Sequence, residues 1–240
     1  MRRTSLCAPV PVGTGAFGRP EGGSKVGNVE DGLRERKKRE TRQLISDAAT
    51  GLFLDRGFDD VTVGEVAEAA GVSAKTVFNY FPRKEDLFLD RFPEALELVA
   101  REVRERPAGA HPVAVLRDLM LRLLAEGDVL GGYVSRPSFV RYWRVVLESP
   151  ALTARVREFV GELEDLLARL FAEAGGTDPG APGNRLAAAW TVAAYRTVYG
   201  TGVRRAFAGE DGEASKAELA ELIEKVFHRL RPAVEECSVL

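Results

Sequence analysis

The chain has 240 residues, 45% of them hydrophobic, and a formal net charge of −2, which is ample for a small helical unit plus a further domain with a sizeable core. No run of about 18 apolar residues occurs, which excludes a transmembrane helix by the length a bilayer demands; the basic start Met1-Arg2-Arg3 leads into Gly, Pro and Ser rather than an apolar stretch, which argues against a secretory signal and for a cytoplasmic protein. Cys7 and Cys237 stand near opposite ends, in segments that look loose, and form neither a disulfide framework nor a zinc site, so no metal and no cofactor is expected.

The charge average argues mildly against a nucleic-acid partner, but phosphate binding needs a local basic surface and not a basic mean. Arg34, Arg36, Lys37, Lys38, Arg39 and Arg42 face only Glu35 and Glu40 in their stretch, and between Ser73 and Lys84 stand Lys75, Arg83 and Lys84 with no acid. The acids Asp55, Asp59, Asp60, Glu65 and Glu68 cluster between these two segments.

Residues 1–31, rich in Gly, Pro and Val without helical period, read as a disordered extension. From there the pattern is helical almost throughout, and an all-α fold is expected. Leu44, Ala48 and Leu52, with Ile45, Ala49 and Phe53, form an apolar stripe at i, i+4 spacing over about 34–55, and Gly57 stops that helix. Thr62-Val63-Gly64-Glu65 is a capping box, opening a short helix over 63–70 with Val66, Ala67 and Ala70 inward. Gly71-Val72 makes the turn, and Ser73 caps a second short helix from Ala74 to about Tyr80. Further helices are expected at about 94–105, 113–125, 137–147 and 151–173, the last opened by Ser149-Pro150. After a Gly- and Pro-rich loop at 175–183, Asn184 is expected to cap a helix to about Phe207, and Ser215 to Glu218 to form a second capping box before a final helix that ends near Leu230, short of Pro232.

Two short helices joined by a tight turn with glycine make a helix-turn-helix. Its second helix must enter a major groove about 12 Å wide and leave one face free. Val77 and Phe81, four apart, anchor that helix, leaving Ala74, Lys75, Phe78 and Asn79 outward. Lys75 can donate to guanine, Asn79 to a base edge or a phosphate, and Ala74 and Phe78 can touch a thymine methyl. Thr76 and Tyr80 carry hydroxyls suited to phosphate, as does Lys84 at the next helix start. Thr62 and Ser73 are caps first and DNA contacts second. Arg36, Lys37 and Lys38 read either as a solvated helix face or as a basic arm on DNA.

The ordered series Ala48-Ala49, Leu52-Phe53, Gly57-Phe58, Thr62-Val63, Val66-Ala67, Ala70-Gly71-Val72-Ser73, Thr76 to Phe81, and Lys84 with Leu87 resembles the N-terminal domain of tetracycline-repressor-family (TetR-type) regulators. The resemblance implies a helix-turn-helix DNA-binding domain over 32–91, a helical ligand-binding and dimerisation domain over 92–233, and a flexible tail over 234–240. It further implies a homodimer on double-stranded DNA, with helices at about 184–207 and 216–230 at its interface, a small-molecule effector and, usually, repression. Carried over by position, Thr62, Thr76, Tyr80 and Lys84 match phosphate contacts, and Lys75 and Asn79 match base- or groove-facing places. The family usually has tyrosine where this chain has Phe78, so a hydroxyl contact to phosphate is lost.

Beyond residue 92 no motif is sharp. Phe139, Trp143, Trp190 and Tyr195 are the aromatic side chains put forward for a ligand pocket, because pockets are mostly apolar. Leu219, Leu222, Ile223, Val226, Phe227 and Leu230 form a stripe compatible with a partner helix from the same chain or from a second copy. A C-terminal domain that binds a protein partner and no small ligand is the alternative reading. An enzyme is not expected: His111, beside Pro112 in what reads as a loop, and His228, on a helix face, are the two histidines, and no convergent acid, base or metal set accompanies them.

Overall fold

The computed structural model describes residues 29–132, 137–210 and 212–237. Among these residues the chain consists of α-helices and one 3-10 turn, with no strand. None of the helices is long and apolar enough to cross a membrane. The chain divides into two compact units: α1 (Val29–Arg56) with residues 60–88, and residues 57–59 with the chain from Leu89 on.

The first unit holds α1, α2 (Val63–Ala69), α3 (Ala74–Tyr80) and α4 (Lys84–Phe88). α1 begins at Val29, so the expected extension is already helix for its last three residues; its earlier part, with Cys7, lies outside the described residues. The apolar stripe of α1 divides by depth. Ile45, Ala49 and Phe53 are fully buried, while Leu44 is half exposed. They pack in a core with Val66, Val77, Phe81, Leu87 and Phe88, and Phe53 meets Phe88 edge-on at 5.7 Å between ring centroids.

α2 is held at its start by a complete capping box. The Thr62 backbone N–H donates to Glu65 Oε2 at 2.8 Å, and the Glu65 N–H donates to Thr62 Oγ1 at 3.2 Å. Arg56, at the end of α1, pairs with the other carboxylate oxygen of Glu65 at 2.8 Å. The Thr62 contacts and Arg56 together lower the Glu65 pKa to about 2. Between α2 and α3 the chain turns at Gly71, whose φ of +65° is left-handed backbone that a side chain would strain. Ser73 caps α3, accepting from the Thr76 N–H at 3.1 Å.

The second unit is built from α5 (Phe92–Arg104), α6 (Pro112–Glu126), a 3-10 turn (Val129–Gly131), α7 (Pro137–Glu148), α8 (Pro150–Gly175), α9 (Pro182–Ala208) and α10 (Glu213–Cys237). α9 packs against α8 and α10, and α6 lies on α10. Ser149 caps α8 as expected, with Pro150 in its first turn. His111 is not a free loop residue. It is the N-cap of α6, its Nδ1 accepting from the Val113 N–H at 3.2 Å, and burial pushes its pKa down.

Three expectations fail here, each for a packing reason. Asn184 does not cap α9, which starts two residues earlier. It is buried in the first turn and donates back to Thr177 Oγ1 at 2.9 Å and the Asp178 carbonyl at 2.8 Å, tying the preceding loop. The Ser215 capping box does not form, because α10 begins at Glu213; Glu218 instead accepts from Arg205 of α9 at 2.8 Å. Nor does α10 stop before Pro232. It continues through that proline to Cys237, and Val234 and Cys237 are buried in the core, so the segment expected as a flexible tail from 234 is helix up to 237.

Gly132, just beyond the 3-10 turn, lies on α9 at a point where only glycine fits. A β-carbon on Gly202 would stand 2.1 Å from the Gly132 carbonyl oxygen. We expect Gly202→Ala to lower stability by about 1–3 kcal/mol, as overpacking does. Gly200→Ala, which would meet only the end of the Arg204 side chain, is the control and should be stabilising by about 0.5–1 kcal/mol, as alanine is over glycine inside a helix; thermal denaturation of both variants checks this. A second prediction concerns acid. A carboxylate with a pKa of about 2 in the fold against 4.5 unfolded contributes stability above pH 4.5 that is lost as pH falls toward 2. Melting temperature of Glu65→Gln followed over that range should therefore fall less steeply than that of the wild type, starting from a lower value at neutral pH.

Candidate nucleic-acid interface

α3 advances about 100° per residue, as any α-helix does, so its seven residues fall into columns four apart. Val77, with Phe81 just beyond the helix, forms the column turned into the core of the head, at 0% and 2% exposure. Opposite it lie Lys75 and Asn79, both exposed and without a side-chain partner among the described residues. Ala74 and Phe78 form one flank, both exposed, with Phe78 at 50%. Thr76 and Tyr80 form the other flank and are half-buried. The helix thus presents a donor crest between an apolar flank and a hydroxyl flank.

Two cations of the head lie over aromatic rings inside it. The Arg42 guanidinium lies over the Phe81 ring at 4.3 Å and donates to the Tyr80 carbonyl at 3.4 Å, clamping the end of α3 to α1. The Lys84 ammonium stands 5.7 Å from the centre of the Phe53 ring. Arg42 was legible only as one of a run of basic residues, and nothing in the sequence singled it out as the clamp.

The expected phosphate-binding hydroxyls are partly committed inside the head. Thr62 donates its one hydroxyl proton to Glu65 at 2.8 Å. Ser73 and Thr76 share a hydrogen bond at 2.9 Å, which leaves one hydroxyl proton between them to reach outward. Arg36, Lys37 and Lys38 are exposed on the first half of α1, where Arg36 pairs with Glu40 at 3.5 Å.

The second unit holds an apolar cavity of about 60 Å³ among α5, α6, α8, α9 and α10. Leu98, Leu116, Met120, Leu130 and Phe159 are among the residues around it, and Thr191 and Tyr195 are the polar ones; no charged side chain lines it. The Thr191 hydroxyl already donates to the Ala187 carbonyl at 2.8 Å. Of the four aromatic residues put forward for a pocket, Tyr195 lines this cavity. Phe139 is buried elsewhere, Trp143 stacks edge-on with Tyr199 at 5.5 Å, and Trp190 is 40% exposed on α9. Met120, Leu130 and Thr191 were missed: their spacing marks them as helix or turn residues and carries no signal for a void.

The family model for bacterial regulatory proteins of the tetR family matches residues 45–90, which is the head. The chain is 32% identical over 150 residues to the regulator TcmR of Streptomyces glaucescens, covering 61% of this chain and 66% of that protein. It is 33% identical over 132 residues to the repressor LfrR of Mycolicibacterium smegmatis, covering 53% and 61%. The matched part thus spans less than two thirds of either relative. Among solved structures, NalD of Pseudomonas aeruginosa, a secondary repressor of a multidrug efflux pump, shares the fold with a TM-score of 0.52 at 22% identity, over 79% of this chain and 96% of that one. The ordered motif and the family match over it make residues 45–90 similar to the DNA-binding head of bacterial regulatory proteins of the tetR family, and the relatives that share it are themselves transcriptional regulators.

Proposed function

We infer that the protein is a ligand-responsive repressor that binds a pseudo-palindromic operator as a homodimer and is released by a small molecule. The observation that carries the DNA-binding half is the exposed crest of Lys75 and Asn79 on a helix pinned from behind by Val77 and Phe81. A crest of this size reads only a few bases, so a two-fold pair of heads, one helical turn of DNA apart, supplies the remaining specificity. For the pairing we look to α9 and α10. Leu219, Ile223 and Phe227 of the expected stripe are consumed by the chain's own core, while Leu222, Val226 and Leu230 stay half-exposed and Leu186 and Trp190 of α9 are exposed.

The cavity supports the ligand-responsive half. At about 60 Å³ it is smaller than the roughly 150 Å³ void known to admit benzene. A ligand must therefore push side chains such as Met120 aside, which is how it comes to favour one arrangement of the domain over another. Coupling of about 1–3 kcal/mol between the two sites is enough for regulation. The uncharged lining sets the ligand's class, because an unpaired carboxylate or ammonium ion buried there would cost several kcal/mol. The effector is a neutral, largely apolar molecule with one group able to meet the Tyr195 hydroxyl.

Two measurements test this reading. Duplexes selected from a random pool should bind the wild type with a steep salt dependence. Lys75→Ala and Asn79→Ala should each lower affinity for the selected sequence by about 5- to 100-fold, the worth of a base contact, while leaving non-specific binding in place; binding that ignores sequence and survives both changes sinks the proposal. Calorimetry with 1-hexanol, hexanoate and hexylammonium as probes should show the neutral alcohol binding at least tenfold more tightly than either ion. Equal binding of hexanoate would contradict the neutral-effector assignment.

A further inference from the structure

We propose that Phe78, together with Ala74, reads a thymine methyl group in each operator half-site, so that the operator is recognised in part through a methyl and not only through hydrogen bonds. The inference rests on the DNA-binding reading above and adds a base identity to it.

Phe78 stands out because folding leaves it uncovered. In a head whose other described phenylalanines, Phe53, Phe81 and Phe88, are buried, its ring is half exposed. It is joined on the same flank, one turn earlier, by exposed Ala74, so the two make a short apolar strip along α3. The strip lies directly beside the crest of Lys75 and Asn79, and no acid occurs from Ser73 to Lys84. An apolar protein partner would gain little from a strip this narrow bordered by a cation, whereas DNA tolerates both neighbours.

Within the major groove each base pair offers hydrogen-bonding edges, and thymine alone adds a methyl group at C5. With the crest aimed at base edges, the hydroxyl flank of Thr76 and Tyr80 turns to one side of the groove and the Ala74–Phe78 flank to the other. A phenyl ring has no donor for a phosphate oxygen, and placing it against a phosphate would strip water from an anion with nothing in return. Covering a methyl, by contrast, removes apolar surface of both groups from water.

The test uses the full-length protein and the duplex selected from a random pool, with each thymine replaced in turn by deoxyuridine, which lacks only the methyl. At one position per half-site the replacement should weaken binding about fourfold, the worth of one buried methyl group. Phe78→Ala should bind the thymine and deoxyuridine duplexes equally well, and Phe78→Leu should keep part of the discrimination. Phe78 is exposed, so both variants are expected to melt with the wild type. The proposal is overturned if no thymine is sensitive to loss of its methyl, or if Phe78→Ala discriminates as the wild type does. Failure to select any duplex is a different result, which overturns the DNA-binding reading and this inference with it.

Discussion

Everything the head offers to DNA depends on the burial of Val77 and Phe81 in the core of the head. A seven-residue helix is too short to hold itself in water, because nucleating a helix fixes several residues for a single hydrogen bond. α3 therefore exists as a helix because two apolar side chains on one face are pinned in a core, with Ser73 closing its start and Arg42 covering its end. The same burial sets the rotation of the helix. With Val77 and Phe81 inward, Lys75 and Asn79 have no direction left but outward, so the recognition surface follows from the core.

Charge in the head is divided between structure and surface in a way composition conceals. Arg42 and Lys84 lie over aromatic rings, and Arg56 is paired with the Glu65 carboxylate. Lys75 remains on the crest, and Arg34, Lys37 and Lys38 are exposed along the start of α1. A net charge of −2 thus coexists with a basic local surface, because phosphate responds to the nearest few charges within a screening length of about 10 Å and not to the sum over the chain.

The head was legible because its signals are local. A capping box needs residues three apart, a left-handed turn needs glycine, and a helix anchor needs apolar residues four apart; Thr62 with Glu65, Gly71, and Val77 with Phe81 meet these conditions within the sequence. The second unit was less legible because its features are set by contacts between distant residues. Asn184 and Ser215 have the chemistry of caps, yet the helices start before them, since packing of α9 against α8 and α10 outweighs a cap's contribution of about 1 kcal/mol. Pro232 would end an isolated helix, but burial of Val234 and Cys237 beyond it carries α10 on. The cavity is likewise a property of how five helices fail to fill the space between them, and of the aromatic residues chosen by type only Tyr195 lines it.

In the proposed binding mode the crest of α3 lies in the major groove. Methylation interference on the selected duplex tests it most directly, because dimethyl sulfate marks guanine N7 in the major groove and adenine N3 in the minor groove. Methylated guanines within each half-site are expected to block binding of the wild type, and Lys75→Ala is expected to lose this interference at one of them. Interference confined to adenine N3 would instead place the protein in the minor groove and overturn the binding mode.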